Sequence, residues 1–117
     1  MMQLFLQKGS YGNKRYFSEK TFDTFNTSYY AAVGVQRGLG FDKRIAEVGP
    51  TCACVSEASF GHTGFTGDIA WVDPETDLVY VFLSNRTYPE VTAEGNKLSK
   101  EKIREDIQKI IQEAIIK

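Results

Sequence analysis

FGHTGFTGDIAWVDPETDLVYVFLSN, Phe60 to Asn85, is the stretch whose reading decides the fold. It divides into a glycine-studded entry, a strand, a tight turn and a second strand. Ile69, Trp71 and Asp73 alternate with Asp68, Ala70 and Val72, which is the two-residue period of a strand. Asp73-Pro74-Glu75-Thr76-Asp77 is turn chemistry: proline presets φ, and the acidic side chains can hold their own backbone. Leu78 to Leu83 is apolar at both parities, which predicts a strand covered on both faces. A hairpin buried in that way belongs to the middle of a layered domain. The loop ahead of it, Gly61 to Gly67, carries the chain's one histidine and three glycines, and any function is expected there.

His62-Thr63-Gly64, then a strand ending in Trp71-Val72-Asp73-Pro74-Glu75, then Leu83-Ser84-Asn85-Arg86 and Tyr88-Pro89, resembles the C-terminal part of the serine β-lactamase and penicillin-binding-protein superfamily. The resemblance is strongest to the class C β-lactamase and esterase branch. There a Lys-Thr-Gly or His-Thr-Gly triplet on an edge strand lines the active site. Gly9 to Ser18 resembles a turn-and-helix segment of the family, and Arg37 to Phe41 a following strand. The triplet alone is a weak signal. Together with the hairpin, Asn85-Arg86 and a terminal helix at matching spacing, it is fairly specific.

Working outward, Met1 to Gln7 reads as the last turns of a helix, closed by Lys8 and a Gly9 C-cap. Its apolar Leu4, Phe5 and Leu6 suggest truncation upstream. Ser18 is a plausible N-cap for a helix over Glu19 to Phe25, with Phe22 and Phe25 on one face. Val33 to Phe41 is expected to be a strand interrupted at Gly34, Gly38 and Gly40. Gly49-Pro50 marks a loop, Thr51 to Val55 a short strand, and Pro89 to Asn96 a polar loop. From Lys100 to Ile116, Ile103, Ile107, Ile110, Ile111 and Ala114 form one stripe, which predicts an amphipathic helix lying on the sheet by that stripe. The fold class expected is α+β: an antiparallel sheet with a C-terminal helix packed on it, a partial β-lactamase/transpeptidase-like fold. Residues 1–117 are read as one domain or fragment, the C-terminal portion of such a domain.

The resemblance assigns the chemistry to three motifs: Ser-x-x-Lys for the nucleophile, Tyr-x-Asn for acid/base help, and the Lys/His-Thr-Gly strand. Only the third is credible here. Ser99-Lys100-Glu101-Lys102 matches the first formally, but it follows the triplet and reads more simply as an N-cap serine with solvated lysines. Tyr11-Gly12-Asn13 matches the second, yet its surroundings are those of a turn. No catalytic residue is therefore assigned within this chain. By resemblance, His62, Thr63, Gly64, Phe65, Asn85 and Arg86 contribute to substrate binding. Gly64, without a side chain, lets a substrate lie along the strand as an added strand. The Phe65 N–H would be one oxyanion donor, and the Thr63 hydroxyl would meet a substrate carboxylate or carbonyl. His62 offers a weaker fixed charge than the commoner lysine, which tilts the expectation from β-lactams towards esters or peptides. The bland alternative is a strand-edge histidine with no task. Arg86 is compatible with an anionic substrate or with a surface carboxylate.

Cys52 and Cys54 are separated by one residue, a spacing at which an unstrained disulfide is not expected, so both are read as buried reduced thiols. With one histidine and two cysteines, no metal site converges, and no cofactor is implied. Trp71 and the phenylalanines are read as core. A net charge of −1 supplies no field to draw nucleic acid. No apolar run approaches the roughly 20 residues that span a bilayer. A periplasmic or cell-envelope site is suggested by the resemblance alone. The implied partners are a small-molecule, peptide or ester substrate and the missing N-terminal part of the domain. Self-association of the isolated chain is also expected. The competing reading is a non-catalytic α+β module that binds a protein partner, or itself, through its sheet.

Overall fold

In the computed structural model, residues 1–45, 49–91 and 96–115 are described, the side chains of Lys97 and Ser99 excepted. The decisive hairpin is present. Strands β4 (Phe60–Thr63), β5 (Ile69–Asp73) and β6 (Leu78–Phe82) run antiparallel, and a two-residue strand β3 (Asp42–Lys43) adds to β4, giving the order β3-β4-β5-β6. Register pairs Phe60 with Val72, Gly61 with Trp71, His62 with Ala70 and Thr63 with Ile69. On the other side of β5, Trp71 pairs with Tyr80 and Ala70 with Val81. Gly61 is required by this pairing, because a Cβ there would lie 2.3 Å from the Ala70 carbonyl oxygen.

Each face of the sheet carries its own core. On one face Phe60 and Val72 join Phe22 and Phe41, with Phe5, Leu6, Phe17 and Val79 packed around them. Helix α1 (Met2–Leu6) crosses β5 and β6 on this side. It ends at Lys8 and Gly9, both with positive φ, and the Gly9 N–H returns to the Leu4 carbonyl. A small hairpin follows, β1 (Ser10–Tyr11) with β2 (Lys14–Arg15), and Gly12-Asn13 forms its tip. Helix α2 (Glu19–Asn26) starts as expected, with the Ser18 hydroxyl accepting from the Thr21 N–H at 3.1 Å. Phe22 is buried, whereas Phe25 is exposed on the rim of an apolar groove shared with Phe5, Phe17 and Phe41. On the opposite face Ile69, Trp71 and Tyr80 pack with Cys52 and Val55.

Four expectations are corrected. Val33 to Phe41 is not a strand: Ala31–Val33 is a 3-10 turn, Gly34 is left-handed, and Arg37 makes only an isolated bridge to Asp42. The chain is drawn off the sheet there because the Leu39 N–H bonds the Phe25 carbonyl. Thr51 to Val55 is not a strand either, since Cys52 and Cys54 are joined in a disulfide that bends the chain back on itself. A Cα–Cα distance of 5.2 Å brings the pair within bonding reach despite the single residue between them. Leu78 to Leu83 is not covered on both faces: Tyr80 is buried with its hydroxyl on the C-terminal helix, while Val81 and Leu83 are exposed at 53% and 78%, and β6 is the sheet's edge among the described residues.

The fourth correction concerns the C-terminal helix. It forms in two pieces, α3 (Lys97–Lys100) and α4 (Ile103–Ala114), broken at Lys102, where φ is +50°. Ser99 lies inside α3, so it is not the N-cap of α4; Ile116 is outside the described residues. The residues of α4 that dock are Arg104, Gln108 and Gln112, spaced by one helical step. Arg104 donates to the Gly67 carbonyl, Gln108 accepts from the Cys52 N–H, and Gln112 donates to Asp73. The Tyr80 hydroxyl reaches the Arg104 carbonyl at 3.0 Å, and burial raises its ionisation above the ordinary phenol range. Ile107, Ile110 and Ile111 of the expected stripe are exposed instead. The helical period is as read; the docking face is turned by one residue, because polar ends of loops had to be met.

Candidate active-site strand

Strand β4 is not a free edge along its length. Strand β3 pairs with it at Phe60 and Gly61, and among the described residues no strand pairs with the edge at His62 and Thr63. His62 is exposed and Thr63 half-buried. His62 shares its sheet face with Phe60, Ala70 and Val81, and Thr63 shares the other with Gly61, Ile69 and Phe82. Arg37 stands where β3 gives out: its Nη2 donates to His62 Nε2 at 2.9 Å and its Nη1 pairs with Asp42 at 3.0 Å. His62 Nδ1 lies 2.8 Å from the Thr63 carbonyl.

The turn from β4 to β5 is Gly64-Phe65-Thr66-Gly67, closed by the Gly64 N–H on the Asp68 carbonyl and the Gly67 N–H on the Gly64 carbonyl. Gly67 adopts φ +95°, and a Cβ there would press on Ser84 Oγ at 2.6 Å. Among the described residues the Phe65 N–H has no hydrogen-bond acceptor, and the Phe65 ring is 79% exposed. The turn is braced from the strand after it. Arg86 Nε donates to the Phe65 carbonyl at 2.6 Å, the Arg86 N–H bonds the Thr66 carbonyl, and its guanidinium lies over the Phe65 ring. Ser84 Oγ donates to the Thr66 carbonyl as well. Asp68 accepts from the Ser84 N–H and from the Thr66 hydroxyl, and these two bonds hold its carboxyl below the usual range.

Of the residues marked in the sequence, His62, Thr63, Gly64 and Phe65 thus form one continuous rim. Arg86 is joined to that rim from behind by its bond to Phe65. Asn85 is exposed and turns inward on its own loop, accepting from the Thr87 hydroxyl at 2.7 Å. Two contributors carried no local signal. Arg37 lies 25 residues before His62 and is brought to it by the bend after Gly34. Arg104 reaches Gly67 from the C-terminal helix. Lys43, beside the rim, is turned inward over the Phe60 ring and donates to Asn26 and the Ala58 carbonyl; burial lowers its ionisation.

The serines nearest the triplet are half-buried or buried. Ser56 Oγ donates to Asp73 at 2.6 Å, and Ser59 is fully buried. Tyr11 ends β1 and Asn13 lies in the tip of the separate hairpin. Among the described residues no three metal-ligating side chains converge, and no helix is long and apolar enough to cross a membrane.

A sequence model of the beta-lactamase family matches residues 5–103, which is most of the chain and includes the whole of the rim. The chain belongs to the beta-lactamase family. Its similarity extends to curated relatives. It is 34% identical over 95 residues to a provisionally named D-alanyl-D-alanine carboxypeptidase of Salmonella enteritidis PT4, covering 78% of this chain and 21% of that protein. It is 35% identical over 95 residues to the protein so named in Escherichia coli O157:H7, with the same coverage. It is 35% identical over 101 residues to an N-acetylmuramyl-L-alanine amidase of Bacillus subtilis strain 168, covering 82% of this chain and 22% of that one. The chain spans about a fifth of the length of these relatives. The antiparallel sheet with its C-terminal helix is consistent with part of a serine β-lactamase or penicillin-binding-protein fold.

Proposed function

We propose that residues 1–117 are the C-terminal portion of a serine acyl-transfer domain, and that they supply its substrate-facing strand. The observation that carries this reading is the half-covered β4, whose edge among the described residues is open from His62 onward and ends in a Phe65 N–H with no acceptor there. A substrate amide or ester would lie along His62-Thr63-Gly64 as an added strand. The Phe65 N–H would hold the carbonyl oxygen as charge develops on it, a contribution of about 2.7–4 kcal/mol for a donor of this kind. The second donor and the serine nucleophile would come from outside these residues. The Thr63 hydroxyl would meet a carbonyl or carboxylate, with Asn85 and Arg86 framing the far side. The names of these relatives, carboxypeptidase and amidase, favour a peptide-like substrate over a β-lactam.

The test begins with the reading frame upstream, where a Ser-x-x-Lys followed by a Tyr-x-Asn is expected. In the product of that whole frame, His62→Ala should lower turnover of a peptide or ester substrate without unfolding the protein. A frame with neither motif would refute the reading. One observation favours the second reading, a non-catalytic module that associates through its sheet: among the described residues β6 is an edge strand, with Val81 and the following Leu83 exposed.

A further inference from the structure

Every carbonyl of the turn Gly64-Phe65-Thr66-Gly67 is held. The Gly64 carbonyl accepts from the Gly67 N–H at 3.0 Å, and the Phe65 carbonyl from Arg86 Nε. The Thr66 carbonyl accepts from the Arg86 N–H and from Ser84 Oγ, and the Gly67 carbonyl from Arg104. Two of these bonds lie in series. The Gly64 carbonyl and the Phe65 N–H belong to one trans peptide, so they point in opposite directions. Because the carbonyl turns in to Gly67, the Phe65 N–H turns out. The Thr66 carbonyl and the Gly67 N–H likewise share a peptide. One chain of hydrogen bonds therefore runs from the Ser84 hydroxyl through the Thr66-Gly67 peptide and the Gly64-Phe65 peptide to the Phe65 N–H. Donor follows acceptor in the same sense at each link, and bonds arranged in that way polarise one another.

Ser84 heads this chain, and its place is built. It is half-buried, and its own N–H donates to Asp68 Oδ1 at 2.6 Å. The other oxygen of Asp68 accepts from the Thr66 hydroxyl, which closes a ring around the turn. Gly67 leaves the room that the Ser84 hydroxyl needs, since a Cβ there would lie 2.6 Å from Ser84 Oγ.

We propose that Ser84 is a positioning residue. Acting through the two peptides, its hydroxyl aims the Phe65 N–H and strengthens it as a donor to the oxygen on which charge develops. Ser84 itself touches no substrate. This role rests on the reading of Phe65 as an oxyanion donor, and it names the group that holds that donor ready. A donor already oriented and polarised needs no rearrangement as the charge forms. The Arg86 N–H shares the Thr66 carbonyl, so removal of the hydroxyl weakens the chain without emptying its head.

Amide NMR of the 15N-labelled 117-residue chain and of its Ser84→Ala variant tests this. In the wild type the Gly64 and Gly67 N–H groups should resist exchange with D2O, and the Phe65 N–H should not. In Ser84→Ala the protection of Gly67 should fall by up to about tenfold, and the Phe65 15N and 1H shifts should move upfield. The Gly64 N–H, which bonds the Asp68 carbonyl outside the chain, should keep its protection. Unmoved Phe65 shifts, or a wild-type Gly67 amide as open to exchange as that of Phe65, would overturn the proposal. So would a parallel loss at Gly64, which would make Ser84 a general support of the turn. In the product of the whole upstream frame, Ser84→Ala should lower kcat several-fold at unchanged KM; an unchanged kcat would cut the chain off from the reaction. The NMR outcomes need no nucleophile, so failure there is separable from failure of the upstream motif search.

Discussion

Gln112 on α4 donates to Asp73 at the end of β5 across 2.8 Å, and this bond ties the C-terminal helix to the strand that follows the triplet. The same buried carboxylate accepts from the Ser56 N–H and hydroxyl and from the Glu75 N–H. Asp73 is thus the junction of sheet, disulfide-bearing loop and helix. Asp73→Ala leaves those part-buried donors unmet, and is expected to destabilise the chain by about 2 kcal/mol. Urea unfolding checks this; a midpoint equal to wild type would show that the junction is dispensable.

Asp68 gives a pH dependence with a definite sign. Its carboxyl is held below the usual range first by the Ser84 N–H and then by the Thr66 hydroxyl. A carboxylate depressed in the folded state stabilises that state fully above its unfolded value, near 4, and the gain is lost as pH falls through the folded value. Melting temperature should therefore fall on acidification below about pH 4. Asp68→Asn should flatten that slope, and a variant with the wild-type slope would assign it to other carboxylates.

The exposed edge predicts association. Val81 on β6, Leu83 just beyond it and Ile107, Ile110 and Ile111 on α4 leave apolar surface open, and among the described residues β6 is an unpaired strand edge, a template for pairing. Light scattering should show the chain growing beyond a monomer as concentration rises. Val81→Lys, a charge on the exposed face of the edge strand, should shift it back. A wild-type chain that stays monomeric at high concentration would contradict this.

How much was legible in the sequence depended on whether the deciding contacts were local. The hairpin was legible because alternation from Ile69 to Asp73 and the turn at Pro74 are local signals, and so was the start of α2 at Ser18. Helix α4 was legible in its period but not in its start or its orientation. Its face was chosen by the Gly67 carbonyl, the Cys52 N–H and Asp73, partners 37 to 56 residues away. Cys52 and Cys54 were misread because spacing was weighed without the bend that brings their Cα atoms to 5.2 Å. The triplet was visible as a motif. Arg37 was not, because its link to His62 exists only once the chain between them has folded back.

The central claim is that this chain presents a substrate strand without a nucleophile of its own. Ser56 is bonded to Asp73 and Ser59 is buried, so neither is free to attack an acyl or phosphonyl centre. The most direct test is intact-mass spectrometry of the 117-residue chain after incubation with a serine-directed phosphonate. The account predicts unmodified mass throughout. A stoichiometric adduct on any serine, lost in His62→Ala, would contradict it.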